Sequence, residues 1–219
     1  MSQGKERSLV ILKPDAVLRR QIGVNLLKAL KKMPGASVLA FKEAVLPEDF
    51  VKQLYAEHDG QLFFPSLVEM MTSPIGVIIV VVEGPGIVGA IRDVLGPRFV
   101  EDARAIKGSL RAKYGIVKGV NVAYASHSVE VGDRDVELVS GFLGMEISPK
   151  NKVSATKALD TYIAKWDGKF PDNTKSIQKE VIDVLDALAD VKAVLQTESN
   201  ESEEKIRSML KIILNSLLD

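Results

Sequence analysis

The run from Ile75 to Val82 limits this fold more than any other stretch. It is rich in β-branched residues and apolar at odd and even positions alike, which marks a strand at the centre of a sheet. Ser8 to Leu12 reads as a second buried strand, stopped by Lys13-Pro14-Asp15, because the residue before a proline avoids helix. Ile22, Leu26, Leu27, Leu30 and Met33 recur at helical spacing up to Pro34-Gly35, and Ala36 to Val45 is a further strand. Pro47-Glu48-Asp49 suits the first positions of a helix whose inner face is Phe50, Leu54 and Tyr55. Phe63-Phe64-Pro65 introduces a short helix that runs through Met71 and is closed by Ser73-Pro74. Gly84 to Leu95 follows as a helix.

Between Gly96 and Gly115 charged residues alternate with glycine, which predicts a long ordered loop of the kind that carries function. Lys118 to Ser128 reads as a short buried strand breaking into a Ser-rich turn. Ser128 caps a helix from about Val129 to Phe142, with Glu130 and Asp133 in its first turn. Such a strand-to-helix junction presents free backbone N–H groups to a cleft, where anions bind. The order of elements predicts an α/β (α+β) ferredoxin-like sandwich: a four-stranded antiparallel sheet with helices covering one face.

Beyond Ser148 the composition shifts, so residues 1–147 are expected to form one domain and 148–219 a helical extension. Ala155 to Trp166 is its first helix. Ile177, Val181, Val184, Leu188, Val191 and Leu195 then step by 4,3,4,3,4, and Ile206, Leu210, Ile213 and Leu217 repeat the spacing after a polar turn at 197–202. This is the seam of a helical hairpin, which either packs on itself and the main domain or serves as an assembly or partner arm.

Composition narrows the function. Net formal charge is zero, which gives no electrostatic support to nucleic-acid or membrane-surface binding. With no cysteine, thiolate metal sites and disulfides are excluded. No apolar run approaches the ~20 residues of a membrane span, and the N-terminus shows no signal peptide, so the chain is expected to be cytoplasmic. Gly84 to Gly89 matches G-x-G-x-x-G literally, but it follows earlier strands and is succeeded by charged loop, so a tight turn is the better reading than a dinucleotide site. No P-loop motif occurs. The two histidines, His58 and His127, sit in no ligand cluster, and no protein-held metal is expected. Ser126, Ser128 and His127 read as turn and cap rather than a nucleophile–base pair. Lys13, Arg92, Arg98, Arg104, Lys107 and Arg111 together suit a polyphosphate cleft.

These motifs, taken in order, resemble nucleoside diphosphate kinase. The resemblance is carried by Glu6-Arg7, Lys13-Pro14-Asp15-Ala16-Val17, Phe63-Phe64-Pro65-Ser66-Leu67-Val68 and Val82-Glu83-Gly84, then by Arg92-Asp93-Val94-Leu95-Gly96, Arg111, Asn121 and the Ser126, Ser128, Val129, Glu130 pattern. It covers about residues 5 to 142. It implies that a nucleoside di- or triphosphate stacks its base on Phe63 beside Leu67. The phosphates, carrying their own Mg2+, would meet Lys13, Tyr55, Arg92, Arg98 and Arg111, with Asn121 nearby. It also implies a homo-oligomer built on a dimer through the second strand and first helix.

Three departures stand out. The family's N-x-x-H-G-S-D corresponds to Asn121 through His127, which puts Tyr124 where the phosphate-accepting histidine belongs. A lip arginine aligns with Gln61 and a phosphate-contacting threonine with Arg98. The glutamate that orients the histidine aligns with Asp135. Imidazole offers a free lone pair near neutrality, whereas a phenol of pKa about 10 is ~99.9% protonated. No general base is apparent beside it in the sequence. The expectation is therefore a nucleotide-binding member of the family, inactive or weakly active in ping-pong transfer. The alternatives are an active phosphotransferase using His127 or His58, and a scaffold with a vestigial cleft whose C-terminal helices bind a protein partner.

Overall fold

The computed structural model describes residues 4–106, 108–144, 146–199 and 201–216. Four strands, β1 (Lys5–Leu12), β2 (Ser37–Ala44), β3 (Val77–Pro85) and β4 (Ala123–Ala125), form one antiparallel sheet in the order β2-β3-β1-β4. Between β1 and β2 lie α1 (Pro14–Leu18) and α2 (Arg20–Lys31). Next come α3 (Glu48–Leu54) and α4 (Phe64–Met71), separated by a turn of 3-10 helix at Ala56–His58. After β3 come α5 (Ile87–Leu95), α6 (Val100–Arg104) and α7 (Leu110–Tyr114). After β4 come α8 (Val129–Leu143) and α9 (Lys152–Trp166). The four-stranded ferredoxin-like sandwich is as the element order predicts.

Helices cover both faces of the sheet, not one. Val10, Leu12, Ile78, Val80 and Val82 join α2, α5 and α9 in one core. Leu9, Ile11, Val77, Ile79 and Val81 join α3, α4 and α8 in the other. Side chains alternate across a strand, so an apolar run without alternation needs a helical layer on each side. Burying a Val or Ile side chain contributes roughly 1.5–3 kcal/mol, which makes two open apolar faces untenable. Gly84 and Pro85 complete β3, and Gly86, in the left-handed region at φ 59, makes the turn into α5.

The 96–115 segment is not a continuous loop: it contains α6 and α7. Val100, Ala103 and Tyr114 are buried, and the Ser109 hydroxyl caps α7 by accepting from Ala112 N at 3.2 Å. Five-residue helices are too short to show an apolar repeat, so their signal is confined to caps.

The compact unit also continues past residue 148, to Asp172. Ala155, Leu159 and Tyr162 of α9 are buried in the same core as α2 and β2, and the Tyr162 ring lies 5.7 Å from that of Phe41. The second unit, Asn173–Asp219, holds α10 (Thr174–Glu198) and α11 (Glu203–Ser216), with Lys192 paired to Glu203 at 2.8 Å. Ile177, Val181, Leu188 and Leu195 of the expected seam are partly buried, while Val184 and Val191 stay exposed. Leu217 lies outside the described residues. Among the described residues no helix is long and apolar enough to cross a membrane.

Candidate functional site

The site lies where β1 and β4 end side by side. Lys13 follows β1 directly; its backbone N–H donates to Val122 O at 2.9 Å and its ammonium to Gly119 O at 2.9 Å. Ala123 N donates to Asn121 O at 2.9 Å, closing a γ-turn with Val122 at φ 70. This is the rarer, strained form of that turn. A β-branched residue pays about 1–3 kcal/mol to sit there, and strain of this kind concentrates at ligand sites. The Asp15 carboxylate acts electrostatically on Lys13 and pairs with Arg19 at 3.1 Å.

Cations converge on this turn from three elements. Arg111 on α7 donates from its two terminal nitrogens to Gly96 O (2.7 Å) and Ala123 O (2.8 Å). Arg92 is exposed on the last turn of α5 and acts electrostatically on Arg111. The charge of Arg98 reaches both Lys13 and Arg111. Burial, reinforced by the Arg111 and Arg98 charges and opposed by Asp15, brings the Lys13 ammonium down to about 8. Burial, then Arg92 and Arg98, brings Arg111 down to about 10. Buried cations that repel one another in this way favour an incoming anion.

Four buried polar atoms here have no hydrogen-bond partner: Asp15 Oδ1, Tyr55 OH, Arg111 Nε and Asn121 Oδ1. Leaving one such group unsatisfied costs about 1–3 kcal/mol. Two are donors and two are acceptors, so a ligand that completes them presents both acceptors and donors. Phosphate oxygens and a sugar hydroxyl are such groups.

At the mouth, Phe63 is 44% exposed, leaving a ring face for stacking, and Leu67 packs partly buried behind it. His58 lies edge-on to Phe63 at 5.4 Å. Arg98 Nη1 is 3.2 Å from His58 Nε2. The same Nε2 lies 3.5 Å from Glu57 Oε1.

Tyr124 sits on β4 opposite Ile11, edge-on to the Tyr55 ring at 5.2 Å. Its hydroxyl donates to Asp135 Oδ2 at 2.6 Å. A carboxylate acceptor therefore stands beside the phenol, which corrects the expectation that none is near; α8 folds back to bring Asp135 there. Asp135 is fully buried, and also accepts from the Ser126 hydroxyl (2.8 Å) and the Arg134 guanidinium (2.7 Å). Burial, the Asp135 charge and the donated hydrogen bond all raise the phenol above its ordinary range. Burial first, then Asp135, raises Tyr55 likewise.

Lys13, Tyr55, Arg92, Arg98, Arg111, Asn121 and Tyr124 thus gather in one cleft, with Phe63 and Leu67 at its lip. Arg104 instead donates to Ile116 O at 3.1 Å, Lys107 lies outside the described residues, and His127 is exposed with no part in these contacts. Sequence reading missed Ser126 and Arg134 as partners of Asp135, and His58 as partner of Arg98. Only the adjacency of Arg134 to Asp135 gave a signal. Among the described residues no group of three His, Cys, Asp or Glu could hold a metal ion.

Fold and site together define an α/β sandwich with a cationic, aromatic-lipped cleft at its strand ends. The nucleoside diphosphate kinase family profile matches residues 6–141. The chain belongs to the nucleoside diphosphate kinase family. The nucleoside diphosphate kinase of Streptomyces avermitilis is 35% identical over 133 residues, 61% of this chain and 94% of that protein. The Aquifex aeolicus nucleoside diphosphate kinase structure superposes with a TM-score of 0.59 at 30% identity, covering 65% of this chain and 100% of that one. A Halobacterium salinarum nucleoside diphosphate kinase, solved in complex with CDP, gives 0.57 at 31% identity over 62% of this chain and 87% of that one.

Proposed function

We propose that the cleft binds a nucleoside di- or triphosphate and that Tyr124, at the position of the family's phosphate-accepting histidine, leaves ping-pong phosphotransfer absent or weak. The observation that carries the binding half is that Tyr55 OH, Arg111 Nε and Asn121 Oδ1 lie buried and unpartnered among the cations. Phosphate oxygens would accept from Tyr55 OH, Arg111 Nε, Lys13, Arg92 and Arg98; a ribose hydroxyl would donate to Asn121 Oδ1; and the base would stack on Phe63 beside Leu67. The relative solved with CDP supports this reading. Mg2+ would arrive on the phosphates, since the described residues supply no acidic cluster for it. It would neutralise charge on the phosphate chain.

The chemical half rests on the phenol. A nucleophile must present a lone pair to the γ-phosphorus while ADP departs. Tyr124 instead keeps its proton, directed at Asp135, in surroundings that disfavour the phenolate. The Asp135 carboxylate is shared with Arg134 and Ser126 as well as the phenol.

Titration calorimetry with ADP and Mg2+ is the test; no heat and no thermal shift would leave a vestigial cleft. Incubation with γ-labelled ATP is expected to leave no acid-labile label, which would mark a histidine. Binding should also depend on pH. A phosphate favours the charged ammonium of Lys13, so ADP binding takes up a proton once the free protein has passed about pH 8. Affinity is therefore expected to fall as pH rises through 8 to 9. Lys13→Arg, which stays charged, should flatten that fall, and a fall of equal size in this variant would remove Lys13 from the site.

Family members generally form oligomers, and we extend this to the present chain. A monomer mass by light scattering would rule it out.

A further inference from the structure

The hairpin of α10 and α11 has almost no core of its own. Thr174 is the one buried residue of α10 and Ile206 the one buried residue of α11. A unit as small as Asn173–Asp219 usually needs a disulfide, a metal or a further layer. The chain has no cysteine, and among the described residues no acidic or His cluster could hold a metal ion. More helix surface is what remains. The short connection and the Lys192–Glu203 pair make the two helices antiparallel. Val181, Leu188 and Leu195 form a partly buried inner row with Ile206 and Leu210. Beside that row each helix carries a second, exposed one. On α10 it is Val184, Ala187, Val191 and Val194, stepping by 3, 4 and 3. On α11 it is Lys205, Met209 and Ile212, stepping by 4 and 3. Each second row is turned from the first in the same rotational sense. In antiparallel helices that sets both rows on one side of the hairpin.

We propose that this face joins two copies of the chain, hairpin on hairpin, as an antiparallel four-helix bundle. The proposal rests on the oligomer reading above and gives it an interface. Counting outward from the Lys192–Glu203 pair, Asp190 lies level with Lys205, Ala187 with Met209 and Val184 with Ile212. A two-fold axis along the bundle sets each α10 against the α11 of the other copy at those same levels. Met209 then enters the gap that Ala187 leaves between Val184 and Val191, Ile212 meets Val184, and Lys205 meets Asp190. Asp190 is exposed, and the present partner of Lys205, Glu201 at 2.6 Å, forms an exposed pair of little worth. Charge agrees with this arrangement. The α10 helix carries five acidic and three basic side chains, α11 two and three, so an α10 is better placed between two α11 helices than beside another α10. The match in size, charge and level is between two parts of one chain, which is what a second copy supplies.

The absence of native cysteine allows a direct test in the full chain. Asp190→Cys and Lys205→Cys are made as two separate proteins. Under mild oxidation their mixture is expected to give a disulfide-linked species of twice the chain mass, while either alone gives little, because only positions within about 7 Å, Cα to Cα, can be bridged. In sedimentation of chains without the added cysteines, Val184→Glu should weaken self-association by at least about 30-fold. Ile182→Glu, at a residue similarly exposed but on another side of α10, should weaken it by less than about threefold. An oligomeric parent whose mixed cysteine chains give no cross-link overturns the proposal and leaves the oligomer reading with another interface. So does a loss in Val184→Glu no greater than in Ile182→Glu. Should Val184→Glu lose its helical signal, the cross-link decides alone. A monomeric parent without the cross-link sinks the oligomer reading, and this inference with it.

Discussion

Tyr124→His alone is expected to raise phosphotransfer from ATP to a second nucleoside diphosphate by no more than about tenfold, and Tyr124→His combined with Asp135→Glu by about 100-fold beyond that. An imidazole nucleophile needs one nitrogen held by a carboxylate so that the other presents its lone pair. Asp135 is positioned for a different atom, the phenol oxygen, which it meets at 2.6 Å at the far end of a six-membered ring. A histidine at 124 stops short of that point, and the carboxylate stays behind with Arg134 and Ser126. The gap is about one methylene, or ~1.5 Å, and misplacement by ~1 Å costs on the order of 100-fold. The added methylene of glutamate spans it. Tyr124 and Asp135 are thus a matched pair in length, and their substitutions should be strongly non-additive. Coupled-assay rates for the parent, both single variants and the double variant form the cycle. Full gain from Tyr124→His alone would show that the acid is not the limit. No gain in the double variant, with ADP binding intact, would place the loss in the cationic cradle.

Which parts of this molecule could be read in advance follows from the range of each signal. Strand and helix periodicity is local, and β1, β2, α2 and α8 emerge near their expected bounds. The number of helical layers is not local. The run through β3 shows that both its faces are apolar without showing what covers them, and the choice of one layer missed the second. The role of α9 escaped for a related reason. Ala155, Leu159 and Tyr162 step by 4 and 3 as any buried helix stripe does, but only the fold reveals that Phe41 on β2 meets them. At the site, Lys13, Tyr55, Arg92, Arg111 and Asn121 follow from motif order. The positive φ of Val122, the Asp15 charge acting on Lys13 and the reach of Arg98 across the lip do not. Backbone strain and side-chain direction leave no mark on residue identity: a valine is the last residue that turn propensity would choose there.

Gly132→Ala is expected to lower the melting temperature by about 10 °C, whereas Gly141→Ala in the same helix should raise it slightly. Both replace a helical glycine, which by propensity alone favours alanine by about 0.8–1 kcal/mol. The surroundings decide the sign. A Cβ at Gly141 meets nothing within 4 Å, while one at Gly132 would stand 2.1 Å from the carbonyl oxygen of Arg7 in β1. That neighbour is backbone within the sheet and cannot rotate away. The helix α8 must lift from β1 by more than 1 Å, opening the core formed by Leu9, Ile11, Val136 and Val139. Overpacking of this kind costs about 3 kcal/mol, well beyond the propensity gain. The displacement also reaches the site, because Asp135 lies one turn further along α8 and must stay within 2.6 Å of Tyr124 and 2.8 Å of Ser126. Loosening both contacts returns the Tyr124 hydroxyl to solvent, so the ring should show new exposure by ultraviolet difference absorption at temperatures where the variant remains folded. Equal melting temperatures for the two alanine variants would mean that α8 rides freely on β1. The close Gly132 approach would then not be what fixes Asp135 beneath the cleft.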